Sequence, residues 1–300
     1  MNQSLLFTLD THYQDTAGLI AVHVIPHAQG LALIDCGPGV TLPVVLRALA
    51  ARGYAPSHVT DVLLTHIHLD HAGAAGWWAQ QGARIHVHPV GAPHLLNPEK
   101  LLASAQRLYG DAMDQLWGAF LPAPSERVLI HSDDEVFAIG GQEFRALYTP
   151  GHAEHHIAYL WQAVCFSGDV GGVRAGGLNH VRLPTPPPEV HFEKWRASIA
   201  RLRAADFQFI APTHFGVYAK DAHFDLLERS LDAIVKWLET EMSGEPSQEI
   251  FRRDFGALLE TLARADGYTP EQMKIVEAAG GATVMSADGI YRYWKKYRAA

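Results

Sequence analysis

Three histidines and an aspartate fall within six positions of the segment THIHLDHAG, residues 65–73: His66, His68, Asp70 and His71. Neutral imidazoles and carboxylates are donors for divalent metals, Zn first, with Fe or Mn as alternatives. The run DVLL (61–64) just before them reads as a buried strand. The four side chains then sit where a strand ends, the place where layered α/β proteins gather their sites. His66 and His68 are two apart in extended chain and share a face. Asp70 and His71 open the following helix and can serve a second, adjacent position. Further donors appear where later apolar runs stop: TPGH ends at His152, FSGD at Asp169 and APTH at His214. A carboxylate such as Asp169 can bridge two ions through its two oxygens. Two ions roughly 3.5–4 Å apart can share one water and lower its pKa towards ~7. The chemistry is attack of a metal-bridging hydroxide on a carbonyl or phosphoryl centre, without a serine or cysteine nucleophile. Asp70 is placed as the catalytic residue that orients this water or accepts its proton.

The elements that must position these donors alternate in type. AGLIAVHVIP (17–26) and GLALIDCGPG (30–39) read as a strand hairpin. LPVVLRALAARGY (42–54) has helical spacing and a glycine stop, and RIHVHP (84–89) reads as another strand. Between 91 and 127 a helical insert interrupts the pattern, opening with Asn97 as N-cap and Pro98 at the first turn. Strands return over 127–152, 157–169 and 207–216, and 183–205 reads as a proline-rich turn and then an amphipathic helix. From 219 the pattern is helical to the end, with expected helices over 223–242, 248–266 and 270–298. The expected organisation is a catalytic domain over 1–218 and a helical C-terminal extension over 219–300, in the α/β class. The glycine-rich loop 168–177 lacks the Gly-Lys-Ser/Thr ending of a phosphate loop.

Composition narrows the partners. The 300 residues are 48% hydrophobic and 19% charged, enough for a sizeable core. A net charge of -8 argues against a nucleic-acid partner. The two cysteines, Cys36 and Cys165, read as free thiols. The N-terminus lacks the basic and apolar regions of a signal peptide, and no run reaches the about 18 apolar residues of a membrane span. The expectation is a cytoplasmic protein acting on a small-molecule substrate, with no membrane partner. A homodimer through the C-terminal helices is left open. Histidines number 18, so their placement carries more information than their count.

The order His66-x-His68-x-Asp70-His71, His152, Asp169, His214 resembles the metallo-β-lactamase superfamily, over roughly residues 15–218. The LIDCGPG turn (33–39) is similar to that family's early Asp-x-Gly turn. The resemblance implies an αββα sandwich with a metal pair at one edge. Carried over position by position, His66, His68 and His152 would hold one ion, Asp70, His71 and His214 the other, and Asp169 would bridge them. It places Asp35 behind the metal loop as an orienting group and gives His156 a supporting or substrate-side role. His155 stands where many relatives have glycine. His86 and His88 read instead as strand histidines with backbone partners. The pattern is that of glyoxalase II-like hydrolases and implies a dinuclear enzyme acting on an ester, thioester or lactone. Glutathione-specific members carry Lys-x-Tyr after the bridging aspartate, where this chain has Arg174 without that arrangement. Lactone-opening members carry a tyrosine there, where this chain has VGG. RNA-processing members carry a basic arm that this chain lacks. The insert helices over 97–120 and the Trp77, Trp78 pair are expected to wall an apolar substrate pocket. The alternative within the superfamily is a mononuclear-iron sulfur dioxygenase.

Overall fold

The computed structural model describes residues 6–279 and 283–299. The first sheet has six strands in sequence order: β1 (Phe7–Asp10), β2 (Ala21–His27), β3 (Gly30–Ile34), β4 (Val59–Leu63), β5 (Arg84–Val87) and β6 (Val128–Ile130). The β1–β2 and β2–β3 pairs are antiparallel, and β3 to β6 run parallel. The second sheet is ordered β12 (Tyr218–Ala219), β11 (Phe209–Ala211), β10 (Val164–Phe166), β9 (Ile157–Trp161), β8 (Gln142–Tyr148) and β7 (Val136–Ile139). It is antiparallel except for the β10–β11 pair.

The sheets pack face to face, and side-chain alternation shows why both are apolar on each face. In β3, Ala32 and Ile34 meet Phe144, Tyr159 and Phe166 of the second sheet. Leu31 and Leu33 point the other way, into a core with Val45 and Leu49 of α1 (Leu42–Ala50) and Trp78. In β9, Ile157, Tyr159 and Trp161 face the first sheet, while Ala158 and Leu160 face the opposite helices. Helices on both outer faces therefore demand strands that are buried on two sides. The expected αββα sandwich is the observed fold.

On the first outer face, α2 (Leu69–Ala72) and α3 (Ala75–Gln80) follow α1. The insert is three helices, α4 (Ala92–Leu96), α5 (Glu99–Tyr109) and α6 (Met113–Trp117), where a helical pair was expected. Gly110, at φ 53°, separates α5 from α6. The second outer face carries α7 (Phe192–Ala204), α8 (Lys220–Met242), α9 (Gln248–Ala265), α10 (Pro270–Ala279) and α11 (Thr283–Tyr297). Phe224, Leu227, Leu231, Phe251, Phe255 and Ile290 share one buried cluster with Trp195 of α7 and Leu160 of β9. The C-terminal helices are thus continuous with the core of the second layer. The single helix expected over 270–298 is two helices, and its middle lies outside the described residues. Among the described residues no helix is long and apolar enough to cross a membrane.

Candidate metal centre

Strand direction brings the expected donors together. The pair β3 and β4 is parallel, as is the pair β10 and β11, so each pair ends on one side. β8 is separated from β10 by one antiparallel strand and runs with it. Asp35 follows β3, His66 to His71 follow β4, His152 follows β8, Asp169 follows β10 and His214 follows β11. The layers are tied at this edge by Ile157 N–H, which donates to Thr65 O (2.8 Å), and by the Tyr159 hydroxyl, which donates to Leu64 O (3.1 Å).

Seven side chains converge. Nε2 of His66 and Nε2 of His152 face Nδ1 of His68 at 3.0 and 2.9 Å. Asp70 Oδ2 lies 3.6 Å from His71 Nε2 and 3.3 Å from His214 Nε2. Asp169 stands between the two groups. Its Oδ2 is 4.0 Å from His66 Nε2 and 3.3 Å from His152 Nε2. Its Oδ1 is 3.2 Å from His71 Nε2 and 3.4 Å from His214 Nε2. The candidate ligand atoms of His66, His68 and His152 lie within 4.8 Å of one another, as do those of Asp70, His71 and His214.

The outward nitrogens are held, which fixes the inward ones. His152 Nδ1–H donates to Pro184 O and His214 Nδ1–H to Leu19 O, both at 2.8 Å. His71 Nδ1–H donates to Asp35 Oδ2 at 2.7 Å. His66 Nδ1–H donates to Thr65 Oγ1 (3.1 Å), whose own hydroxyl donates to Asp35 Oδ2 (2.9 Å). Each Nε2 lone pair is thereby aimed inward, as metal-binding histidines require. Asp35 has the orienting place expected of it. His156 bonds outside the cluster: its Nδ1 pairs with Thr149 Oγ1 (2.8 Å), and its Nε2 accepts from Val170 N–H (3.4 Å). It supports the loop that carries Asp169.

Two tests bear on whether this set suits divalent ions. His71 Nε2 and Asp169 Oδ1 are buried and have no aligned hydrogen-bond partner. Native buried polar atoms rarely stay unpaired, and an ion between these two would satisfy both. The charges agree. Burial and the neighbouring His71 and His68 push His66 well below the usual imidazole range. Burial and His152 lower His68 to about 4. Burial would raise Asp70, but His71 and His214 hold it at about 2. Burial would lower His71, yet Asp169, Asp70 and Asp35 carry it well above its usual value. Without an ion, the site keeps a proton on His71 among three carboxylates. The donor groups suit divalent cations.

A cavity of about 610 Å³ opens over the cluster, lined on one side by His68, Asp70, His152, Asp169 and His214. The insert contributes Lys100, Leu101, Leu108, Tyr109, Leu116 and Trp117 to the lining, and Met285 of α11 joins them. The expected tryptophan wall is corrected: Trp78 is fully buried in the outer core and Trp77 packs beside it, so neither lines the cavity. Small residues around Trp77 and Trp78 signal close packing, and here that packing is against the sheet. His86 is also corrected. Its partners are side chains, Asp61 (2.8 Å) and His131 (2.7 Å), rather than backbone. His88 Nδ1 accepts from Val90 N–H, a backbone partner as expected. His155 is buried at the cavity wall, its Nε2 3.7 Å from Glu189. Tyr13 and Glu189 also line the cavity and carry no signal in the sequence, where neither stands in a motif.

The chain belongs to the metallo-beta-lactamase superfamily, whose sequence pattern matches residues 15–214. It is 29% identical over 194 residues to a metallo-beta-lactamase fold-containing protein of Sulfurisphaera tokodaii, covering 58% of this chain and 73% of that one. It is 32% identical over 139 residues to an atrochrysone carboxyl ACP thioesterase of Aspergillus fumigatus, covering 46% of this chain and 35% of the relative. It is 32% identical over 162 residues to a hydroxyacylglutathione hydrolase of Fuscovulum blasticum, covering 53% and 48%. The chain thus spans less than half the length of the last two. A metallo-beta-lactamase family protein of Thermus thermophilus superposes with a TM-score of 0.71 at 19% identity, over 99% of this chain and 95% of that structure. That likeness in fold takes in the C-terminal helices.

Proposed function

We propose that this protein is a dinuclear metal-dependent hydrolase of a small to medium ester, thioester or lactone. The observation that carries the reading is the division of Asp169, with one carboxylate oxygen towards each ligand group. His66, His68 and His152 would hold one divalent ion and Asp70, His71 and His214 the other, with Asp169 between them. Zn is the first candidate for this donor set, with Fe or Mn next. Bound there, the two ions would supply Lewis acidity to a carbonyl and lower the pKa of water towards ~7.

The chain's own residues supply the rest. Asp70 lines the cavity with its side chain 21% exposed, and it is ionised at any working pH. A carboxylate held at about 2 is a weak base, so Asp70 serves better to accept a hydrogen bond from water and orient it than to carry its proton away. The insert and the proline turn at 184–188 line the cavity beside the cluster. The relatives include a thioesterase and a hydroxyacylglutathione hydrolase, which supports the acyl class. The one-iron sulfur dioxygenase alternative draws no support from a second group as complete as Asp70, His71 and His214. The test is elemental analysis of protein purified without added metal, followed by an ester, thioester and lactone panel. About two ions per chain, with turnover lost in Asp169→Asn, is the expected result. One iron per chain, with oxygen consumed on a persulfide, would overturn it.

A further inference from the structure

The cavity joins two kinds of lining, the polar donors of the metal edge and a set of aromatic side chains. Tyr13 and Trp117 stack at 5.7 Å with 17° between planes, and Tyr109 meets Trp117 edge-on at 5.0 Å. All three line the cavity, with Leu101, Leu116 and Met285 beside them. They come from separate parts of the chain: the loop after β1, the end of α5 and the end of α6.

The loop holding Tyr13 is strained. His12, Gln14 and Asp15 have φ of 47°, 51° and 58°, in the left-handed region that side chains with a Cβ rarely adopt. It is clamped by Asp10, whose carboxylate accepts from His12 N–H (2.9 Å) and Gly18 N–H (2.8 Å). Residues held in sparsely populated backbone regions cluster where a side chain must be aimed. Here the clamp aims Tyr13, which is only 6% exposed, under Trp117. Aromatic walls have few rotatable bonds and lose little freedom when a ligand packs on them. They favour a rigid planar partner, which gains offset or edge-on ring contacts that a flexible chain cannot make.

We propose that Tyr13, Trp117 and Tyr109, packed on one another, form the aromatic wall of a slot that selects a flat aryl acyl group and sets its carbonyl against the metal edge. The inference rests on the hydrolytic reading above. A bicyclic aryl group fits a cavity of about 610 Å³. The role is specificity, so the readout is a ratio between substrates.

The experiment compares the N-acetylcysteamine thioesters of 2-naphthoate and acetate on the metal-loaded full chain. Trp117→Leu keeps an apolar side chain and removes the ring. It should lower the naphthoyl-to-acetyl ratio of kcat/KM by roughly tenfold, mostly through KM, the scale of one to two aromatic contacts. Tyr13→Leu should act in the same direction. Trp77→Leu, in the outer core, should leave the ratio alone. An unchanged ratio in Trp117→Leu and Tyr13→Leu would overturn the slot while leaving the hydrolase reading intact. If the wild type cleaves neither thioester, binding decides the matter separately. Free 2-naphthoate should bind the wild type more tightly than cyclohexanecarboxylate does, and Trp117→Leu should erase that difference. Equal binding of the two acids by the wild type would overturn the slot.

Discussion

Asp35 shows how much of the site depends on a residue that faces no ion position. It is fully buried at φ 52° and accepts hydrogen bonds from Thr65 N–H, Thr65 Oγ1, His71 Nδ1 and Thr213 Oγ1. It thereby sets the tautomer of His71 directly and that of His66 through Thr65. Asp35→Asn should weaken metal affinity by roughly 10–100-fold, the usual cost of removing such support. Competition against a chelator of known affinity measures it. The proton on His71 gives a second expectation. Against the effect of burial, Asp169, Asp70 and Asp35 raise its pKa, so in the metal-free protein it stays charged at neutral pH. Its stabilising effect is full below the ordinary imidazole value and fades as pH rises through the raised one. A metal ion must expel that proton, so apparent affinity should fall as pH drops, with about one proton released at neutral pH. Calorimetry in buffers of different ionisation heat reads the number directly. A heat independent of buffer would show that His71 is already neutral.

At the scale of elements, the sequence reveals the strand ends well and the wall of the cavity poorly. His152, Asp169 and His214 each follow an apolar run after a short turn, and because β8, β10 and β11 run in one direction they reach one edge. The Tyr13 contribution has no such signal, because it depends on a loop conformation that local propensity disfavours. The division of the insert into three helices depends on the extended Asn97 before Pro98 and on the glycine geometry at Gly110. Trp77 and Trp78 lie away from the expected wall because helical spacing does not say which neighbour a face meets. Gly168 illustrates a constraint visible only in three dimensions. At φ 47°, a Cβ there would lie 2.5 Å from Thr65 Oγ1 and 2.7 Å from His156 Nε2. Gly168→Ala should cost about 1–3 kcal/mol and displace Asp169, lowering metal stoichiometry along with melting temperature. The first sheet carries its own ionic lock. Arg84 and His86 of β5 both bond Asp61 of β4 at 2.8 Å. Burial would raise the Asp61 carboxyl, but His86, Arg84 and Thr60 hold it at about 2. The stability it adds is full above the ordinary carboxylate value and is lost as pH falls through about 2. Asp61→Asn should therefore flatten acid unfolding between about pH 4 and 2, at a cost near 1–3 kcal/mol at neutral pH. Denaturant melts at pH 7 and pH 3 test both parts, and an equal loss at the two pH values would contradict the linkage.

Over the whole molecule, the C-terminal helices bear on both stability and the site. Expected from the sequence as an extension, α8 buries Phe224, Leu227, Leu231, Ile234 and Leu238 against the layer that also holds Trp195 and Leu202 of α7. Phe251 and Phe255 of α9 and Ile290 of α11 complete the same cluster. A separate domain would carry its own core, whereas these side chains share one with the second sheet. Their reach continues to the cavity, where Glu277 of α10 and Met285 of α11 join the lining. A chain ending at residue 219 would expose that apolar face and open one side of the substrate space. It should be insoluble or bind a hydrophobic dye strongly, as expected for a large uncovered apolar patch. The full chain should unfold in one transition by both circular dichroism and tryptophan fluorescence. Phe251→Ala, far from the metal edge, should lower that single transition by about 3–5 kcal/mol rather than split it. Two resolved transitions, with the C-terminal helices melting first and metal still bound, would show that the catalytic layers stand alone.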